Sequence, residues 1–141
     1  MMANRITAAA TVLLLLAGCG MSEYEDITAN TSHSQLIGQR LEARSQLYIH
    51  AVTLDPNYAK RVDLYSVTPP PGFSGPELIY RDTLPAGTGF KVLSVRRCTN
   101  CPFEERIELL VQPIGTDRYR AAPVEVSYDF LEIGALFVVR S

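Results

Sequence analysis

Val124-Glu125-Val126-Ser127-Tyr128-Asp129-Phe130 alternates apolar and polar residues without a break. Successive side chains of an extended chain point to opposite sides. Val124, Val126, Tyr128 and Phe130 therefore share one face, and Glu125, Ser127 and Asp129 share the other. A period of two predicts a half-buried β-strand. Upstream, Arg106 to Gln112 behaves alike: Ile107, Leu109 and Val111 alternate with Arg106, Glu108 and Gln112, and Leu110 alone departs. Leu47 to Val52 carries Leu47, Ile49 and Ala51 on one face. Arg61 to Val67 and Glu77 to Arg81 are shorter strand candidates. Phe90 to Arg96, with the apolar centre Val92-Leu93, fits a central strand. Ala135 to Val139 is apolar throughout and predicts a buried terminal strand, with a helix as the alternative at that length.

Turn formers punctuate these runs. They are Asp55-Pro56-Asn57, Leu84-Pro85-Ala86-Gly87-Thr88-Gly89 and Gly115-Thr116-Asp117. The Pro-rich stretch Thr68 to Pro76 predicts a long loop, because proline brings no amide donor to a sheet. No segment of ten or more residues in the domain pairs a 3.6-residue period with capping residues. Six to eight short strands at this spacing predict an all-β fold, a small barrel or sandwich.

Leu84-Pro85-Ala86-Gly87-Thr88-Gly89-Phe90-Lys91-Val92-Leu93-Ser94-Val95 resembles the bacterial SH3-like pattern, in which "L-P-x-G-T" precedes a strand "x-x-V-x-x-V". Ile37-Gly38-Gln39-Arg40-Leu41, with a strand from Leu47, is similar to that family's opening. The resemblance implies a small β-barrel that binds peptide, glycan or another protein, and implies no catalysis. The Pro-rich loop, the Cys98 to Cys101 segment and the long C-terminal part depart from the compact family pattern.

The N-terminus carries an address. Asn4 and Arg5 form a short polar, basic start, Ile6 to Leu16 is apolar, and Ala17 and Gly18 are small. This is the architecture of a secretory leader. Its apolar run of 11 residues falls short of the ~20 that span a bilayer. Leu16-Ala17-Gly18-Cys19 resembles the bacterial lipobox at all four positions. That resemblance implies cleavage before Cys19, a diacylglycerol thioether on its sulfur and acylation (palmitate or similar) of the new amino group. Two or more chains anchor a protein stably, where one does so marginally. Gly20 rather than Asp implies the outer membrane rather than inner-membrane retention. The expected organisation is a signal peptide over 1–18, a lipidated Cys19 with a flexible tether over 19–35, and one β domain over 36–141. Gly20 to Gln35 is polar and without period, which predicts a linker with a reach of about 20–24 Å. His33 is expected there as a solvated residue.

Removing an 18-residue leader from the 141-residue chain leaves 123 residues, enough for one core, and the loss of Arg5 takes the formal charge from −2 to −3. That balance lacks the basic footprint of a duplex nucleic-acid binder. With Cys19 assigned to lipid, Cys98 and Cys101 remain, in Cys98-Thr99-Asn100-Cys101-Pro102. A structural disulfide suits an oxidising compartment, and closing so short a loop contributes about 2 kcal/mol through chain entropy. A thioredoxin-like pair needs its first Cys at a helix N-terminus, whereas strand-like sequence flanks this one. A zinc site needs four ligands, and His33 and His50 stand at no recognisable spacing. Covalent haem needs a His where Pro102 stands. No cofactor or metal is expected.

A hydrolase needs a nucleophile, a base and an orienting group together. The domain offers one histidine, His50, which alternates with Leu47, Ile49 and Ala51 and is expected at the surface or a groove edge. Glu104-Glu105 read as solvated turn charges. Two places suit binding: Phe73 in the Pro-rich loop, as a contact residue or packed back on the domain, and Arg96, Arg97 and Arg106 around the Cys segment, as an anion site or as surface ion pairs with Glu104, Glu105 and Glu108. The expected function is a non-enzymatic envelope lipoprotein that binds a protein or cell-wall ligand. The alternative is a redox or hydrolytic accessory factor using Cys98 and Cys101. A lysozyme-inhibitor type is a third reading, without a supporting motif.

Overall fold

The computed structural model describes residues 23–29, 31–101, 106–127 and 133–141. The leader, Cys19, Glu104, Glu105 and the Tyr128 to Phe130 end of the alternating stretch lie outside them. The chain is all-β. Among the described residues there are nine strands: β1 (Tyr24–Asp26), β2 (Arg40–Ala43), β3 (Leu47–Val52), β4 (Leu64–Thr68), β5 (Leu78–Leu84), β6 (Gly89–Cys98), β7 (Ile107–Pro113), β8 (Val124–Ser127) and β9 (Phe137–Arg140). Two single helical turns, α1 (Thr31–Ser34) and α2 (Ile133–Leu136), interrupt them.

The strands form one sheet in the order β5-β3-β4-β8-β7-β6-β2-β9, and β1 adds to β6 beyond the end of β2. Only β4 and β8 run parallel. Two connections dictate the shape. β2 and β3 stand five places apart in this order, as do β5 and β6. A flat sheet would separate each pair by about 24 Å. Ala43 to Leu47 reaches at most about 14 Å and Leu84 to Gly89 about 18 Å. The sheet must roll until its ends face each other. The two corners then touch: the Ala43 amide donates to Thr88 O at 2.9 Å and the Gly87 amide to Ala43 O at 2.8 Å. Gly87 takes φ 86° there, in the left-handed region that favours glycine. The roll is not closed by pairing between the outer strands β5 and β9.

Rolling wraps the apolar faces around one core. Leu41, Leu47, Ile49, Phe90, Val92, Val95, Leu109, Val126 and Phe137 are all essentially inaccessible. Val124 and Val126 point inward from β8, and Leu109 and Val111 from β7, as the period of two requires. In β6 the inward residues are Phe90, Val92 and Val95, a spacing that strict alternation forbids. The register shifts between Val92 and Ser94, so Leu93 is the extra residue of a bulge and stands 47% exposed. The bulge returns Val95 to the core and turns Arg96 outward.

The structure differs from the sequence expectations in four places. The described residues alone form nine strands, above the expected six to eight. The stretch expected to be a flexible tether carries β1 and α1: Tyr24, Glu25 and Asp26 pair with Cys98, Arg97 and Arg96, and Ile27 is buried. His33, expected as a solvated linker residue, is half-buried in α1. At the C-terminus, residues 133–136 wind into α2, and in β9 only Phe137 is buried, because β9 is an outer strand with Val139 exposed.

Phe90 and Phe137 meet edge to face in the centre of the core, with ring centroids 6.0 Å apart. Phe90→Ala is expected to destabilise the fold by about 3–5 kcal/mol. A fall in the urea midpoint at unchanged slope measures it.

Candidate functional site

The Cys98 and Cys101 sulfurs are bonded, with Cα atoms 5.7 Å apart, within the range a disulfide accepts. Cys98 is the buried last residue of β6, not the first residue of a helix, so the geometry that activates a redox thiol is absent from its position. The bond ties off the β6–β7 connection. The Thr99 amide donates to Glu23 O at 2.9 Å and the Glu23 amide to Asn100 Oδ1 at 2.6 Å, so this end of the sheet also holds the start of the described chain.

The three arginines expected around this segment divide between two faces. Arg97 pairs with Glu25 across β1 at 2.7 Å. Arg96 and Arg106 come together on the outer face. Arg96 contacts Glu108 at 2.9 Å and Glu125 at 2.7 Å, and Arg106 reaches Glu108 at 3.1 Å. The Tyr24 ring covers Arg96, 4.0 Å from guanidinium to centroid, and its hydroxyl donates to Glu108 Oε1 at 3.3 Å. Glu108 is almost fully buried. A cavity of about 510 Å³ lined by Tyr24, Arg96, Arg106 and Glu125 opens beside them. Glu108 thus absorbs positive charge locally, and Glu125 accepts a hydrogen bond from Arg96. Burial, then the neighbouring Glu108 charge and their shared hydrogen bond, push the Glu125 carboxyl well above the ordinary carboxylate range, against the pull of Arg96. The cluster is a hydrogen-bonded ion network between strands, in which both guanidiniums already have partners.

Phe73 packs inward. Its ring stacks on His50 with centroids 4.1 Å apart and an angle of 19°. His50, expected at the surface, is fully buried. The Phe73 amide donates to Nε2 at 3.4 Å, and Nδ1 lies 3.3 Å from Ser66 O, an arrangement that suits a neutral ring with its proton on Nδ1. Burial, helped by the Arg81 charge, lowers its pKa, and the contact with Ser66 opposes this. Gly72 lets the loop come this close: a Cβ there would stand 2.6 Å from Nε2. Alternation on a strand predicts an exposed side chain only where nothing covers that face, and here the Pro-rich loop does. His50 sits under the Pro-rich loop.

A second depression was not signalled by the sequence. Register sets Arg40 directly opposite Lys91 and Lys91 directly opposite Gln112, across β2, β6 and β7. All three are exposed. They floor a groove of about 530 Å³ whose far wall is the loop after β7, with Thr116, Asp117 and Arg120. That loop is pinned by Tyr119, whose hydroxyl donates to Asp82 at 3.1 Å and is pushed up to about 12, first by burial and then by this bond. Asp117 is taken by Arg120 at 2.6 Å. Each side chain is unremarkable in its own strand, and only the pairing of three distant segments assembles them. Among the described residues, no three His, Cys, Asp or Glu side chains gather to hold a metal ion.

Compared with known proteins, the chain matches no family model, no curated protein and no solved structure.

Two predictions follow from the buried groups. The raised Glu125 pKa means the folded chain keeps a proton that an unfolded Glu, with pKa about 4.3, releases. Its stabilisation is full below that value and is lost as pH rises through the raised pKa. The melting temperature should fall from pH 5 to pH 9. Glu125→Gln should leave it nearly unchanged at pH 5 and raise it by about 4–8 °C at pH 9, the shift expected for roughly 1 kcal/mol in a small domain. For His50, Phe73→Ala should uncover the ring and move its pKa up towards about 6.5, read by NMR titration of the ring proton.

Proposed function

We propose that this chain is a lipid-anchored module of the bacterial cell envelope that binds a protein or cell-wall ligand without catalysing a reaction. The observation that carries the reading is Leu16-Ala17-Gly18-Cys19 at the end of an apolar leader. The bonded Cys98–Cys101 pair supports it, since such bonds persist in oxidising compartments. With Cys19 on lipid, each remaining cysteine has a partner. Gly20 favours the outer membrane, with the domain in the periplasm.

A binding role fits the fold. The β domain buries its histidine under Phe73 and ties Arg96 and Arg106 to carboxylates. What it offers outward is a groove on rigid strands. The redox alternative finds no support at Cys98, which closes a strand from a buried position.

Mass spectrometry of the chain taken from the membrane fraction is expected to show an N-terminal Cys19 carrying a diacylglycerol and a further acyl chain. Cys19→Ser should move the protein out of that fraction. A mature N-terminus without lipid overturns the reading.

A further inference from the structure

We infer that the groove between β2, β6 and the loop after β7 binds a carboxylate-bearing ligand of the cell wall, of the chemistry found in its peptide stems. The inference rests on the envelope location proposed above. Its ground is an uncompensated charge pair. Arg40 and Lys91 face each other in register, at a spacing where like charges repel and destabilise a sheet. Among the described residues neither forms an ion pair or a side-chain hydrogen bond. Arg140, opposite Arg40 on its other side, adds a third cation to the row and meets only Glu42, at 3.6 Å. Elsewhere on this net-acidic chain Arg61, Arg96, Arg97, Arg106, Arg118 and Arg120 each have a carboxylate within 3.1 Å, while Arg44 is held by the Gly134 and Phe137 carbonyls and Arg81 by Pro71 O and the Tyr48 ring.

The rest of the groove suits such a ligand. Gln112 continues the row and Thr116 stands on the wall, offering donors and acceptors for amides. Asp117 on the same wall can exchange Arg120 for a ligand ammonium, so the groove presents both signs, as a peptide with free carboxylates and an amino group requires. Position favours the wall over the bilayer. The described chain begins at Glu23, bound to Thr99 and Asn100 beside the end of β6. Cys19 lies four residues earlier, at most about 14 Å of chain. Lys91 is seven residues back along β6 from Cys98, about 24 Å away. The groove thus opens at the end of the sheet remote from the anchor.

The test uses the full lipidated chain purified in neutral detergent. Its probes are soluble disaccharide-peptide fragments released from cell wall by muramidase, followed by calorimetry, and phosphatidylglycerol vesicles, followed by flotation of the Cys19→Ser chain. Fragments should bind, more weakly as salt rises. Lys91→Glu should weaken them at least about tenfold, while Lys60→Glu, the same charge change outside the groove, should not. Because Lys91→Glu places a carboxylate opposite Arg40, it should also raise the melting temperature of the free chain. A residue kept for packing would show the reverse, and that result overturns the inference. So does binding to vesicles without binding to fragments, binding to neither, or equal weakening by Lys60→Glu. A lipidated chain that ignores the fragments would sink this inference and leave the anchor standing. An unlipidated chain that binds them would do the opposite.

Discussion

Two corners too short for a flat sheet govern this fold. Three residues link β2 to β3 and four link β5 to β6, yet each pair stands five strands apart. Chain length alone forces the sheet to roll, and the hydrogen bonds between Ala43, Gly87 and Thr88 lock the corners together. The hydrophobic effect then acts on faces already brought opposite each other. It also explains why the outer strands can stay unpaired: the roll is held at its corners and through its core, so β5 and β9 need not meet.

The same geometry sorts the charges. A rolled sheet has one inside, and every polar side chain of its strands must go outward. On the outer face, two outcomes appear. Near the disulfide the Tyr24 ring lies over Arg96, and Glu108, almost without water, is matched by Arg96 and Arg106. Such buried pairs recover their desolvation cost only with good geometry and specify alignment more than they add stability. At the other end of β6 none of the described residues covers the face, and Arg40 and Lys91 are exposed where their repulsion is screened but not removed.

The strands themselves were largely legible. Period-two runs located β3, β7 and β8, because alternation is local and the core selects one parity, and the apolar centre Val92-Leu93 located β6. The L-P-A-G-T turn was legible for a similar reason, since Gly87 and Thr88 do their work within a few residues. What escaped reading depends on partners far along the chain. Tyr24-Glu25-Asp26 looks like polar linker until Arg96 and Arg97 arrive to pair with it, because a three-residue strand carries no period of its own. His50 has the pattern of an exposed residue until Phe73 closes over it. The bulge at Leu93 was hidden in an apolar run that satisfies either phase. The groove was the least legible, since it exists only in the register of three strands.

β6 carries most of what distinguishes this domain. It pairs with β2, β7 and β1 in succession. Its bulge lets a single strand keep Phe90, Val92 and Val95 inside while setting Lys91 and Arg96 on the same outer face at opposite ends. With the same residues and no bulge, strict alternation from Phe90 would carry Arg96 into the core and Val95 into water. One inserted residue therefore separates the strand into an end that is closed, cross-linked and joined to the N-terminal segment, and an end whose cation remains available.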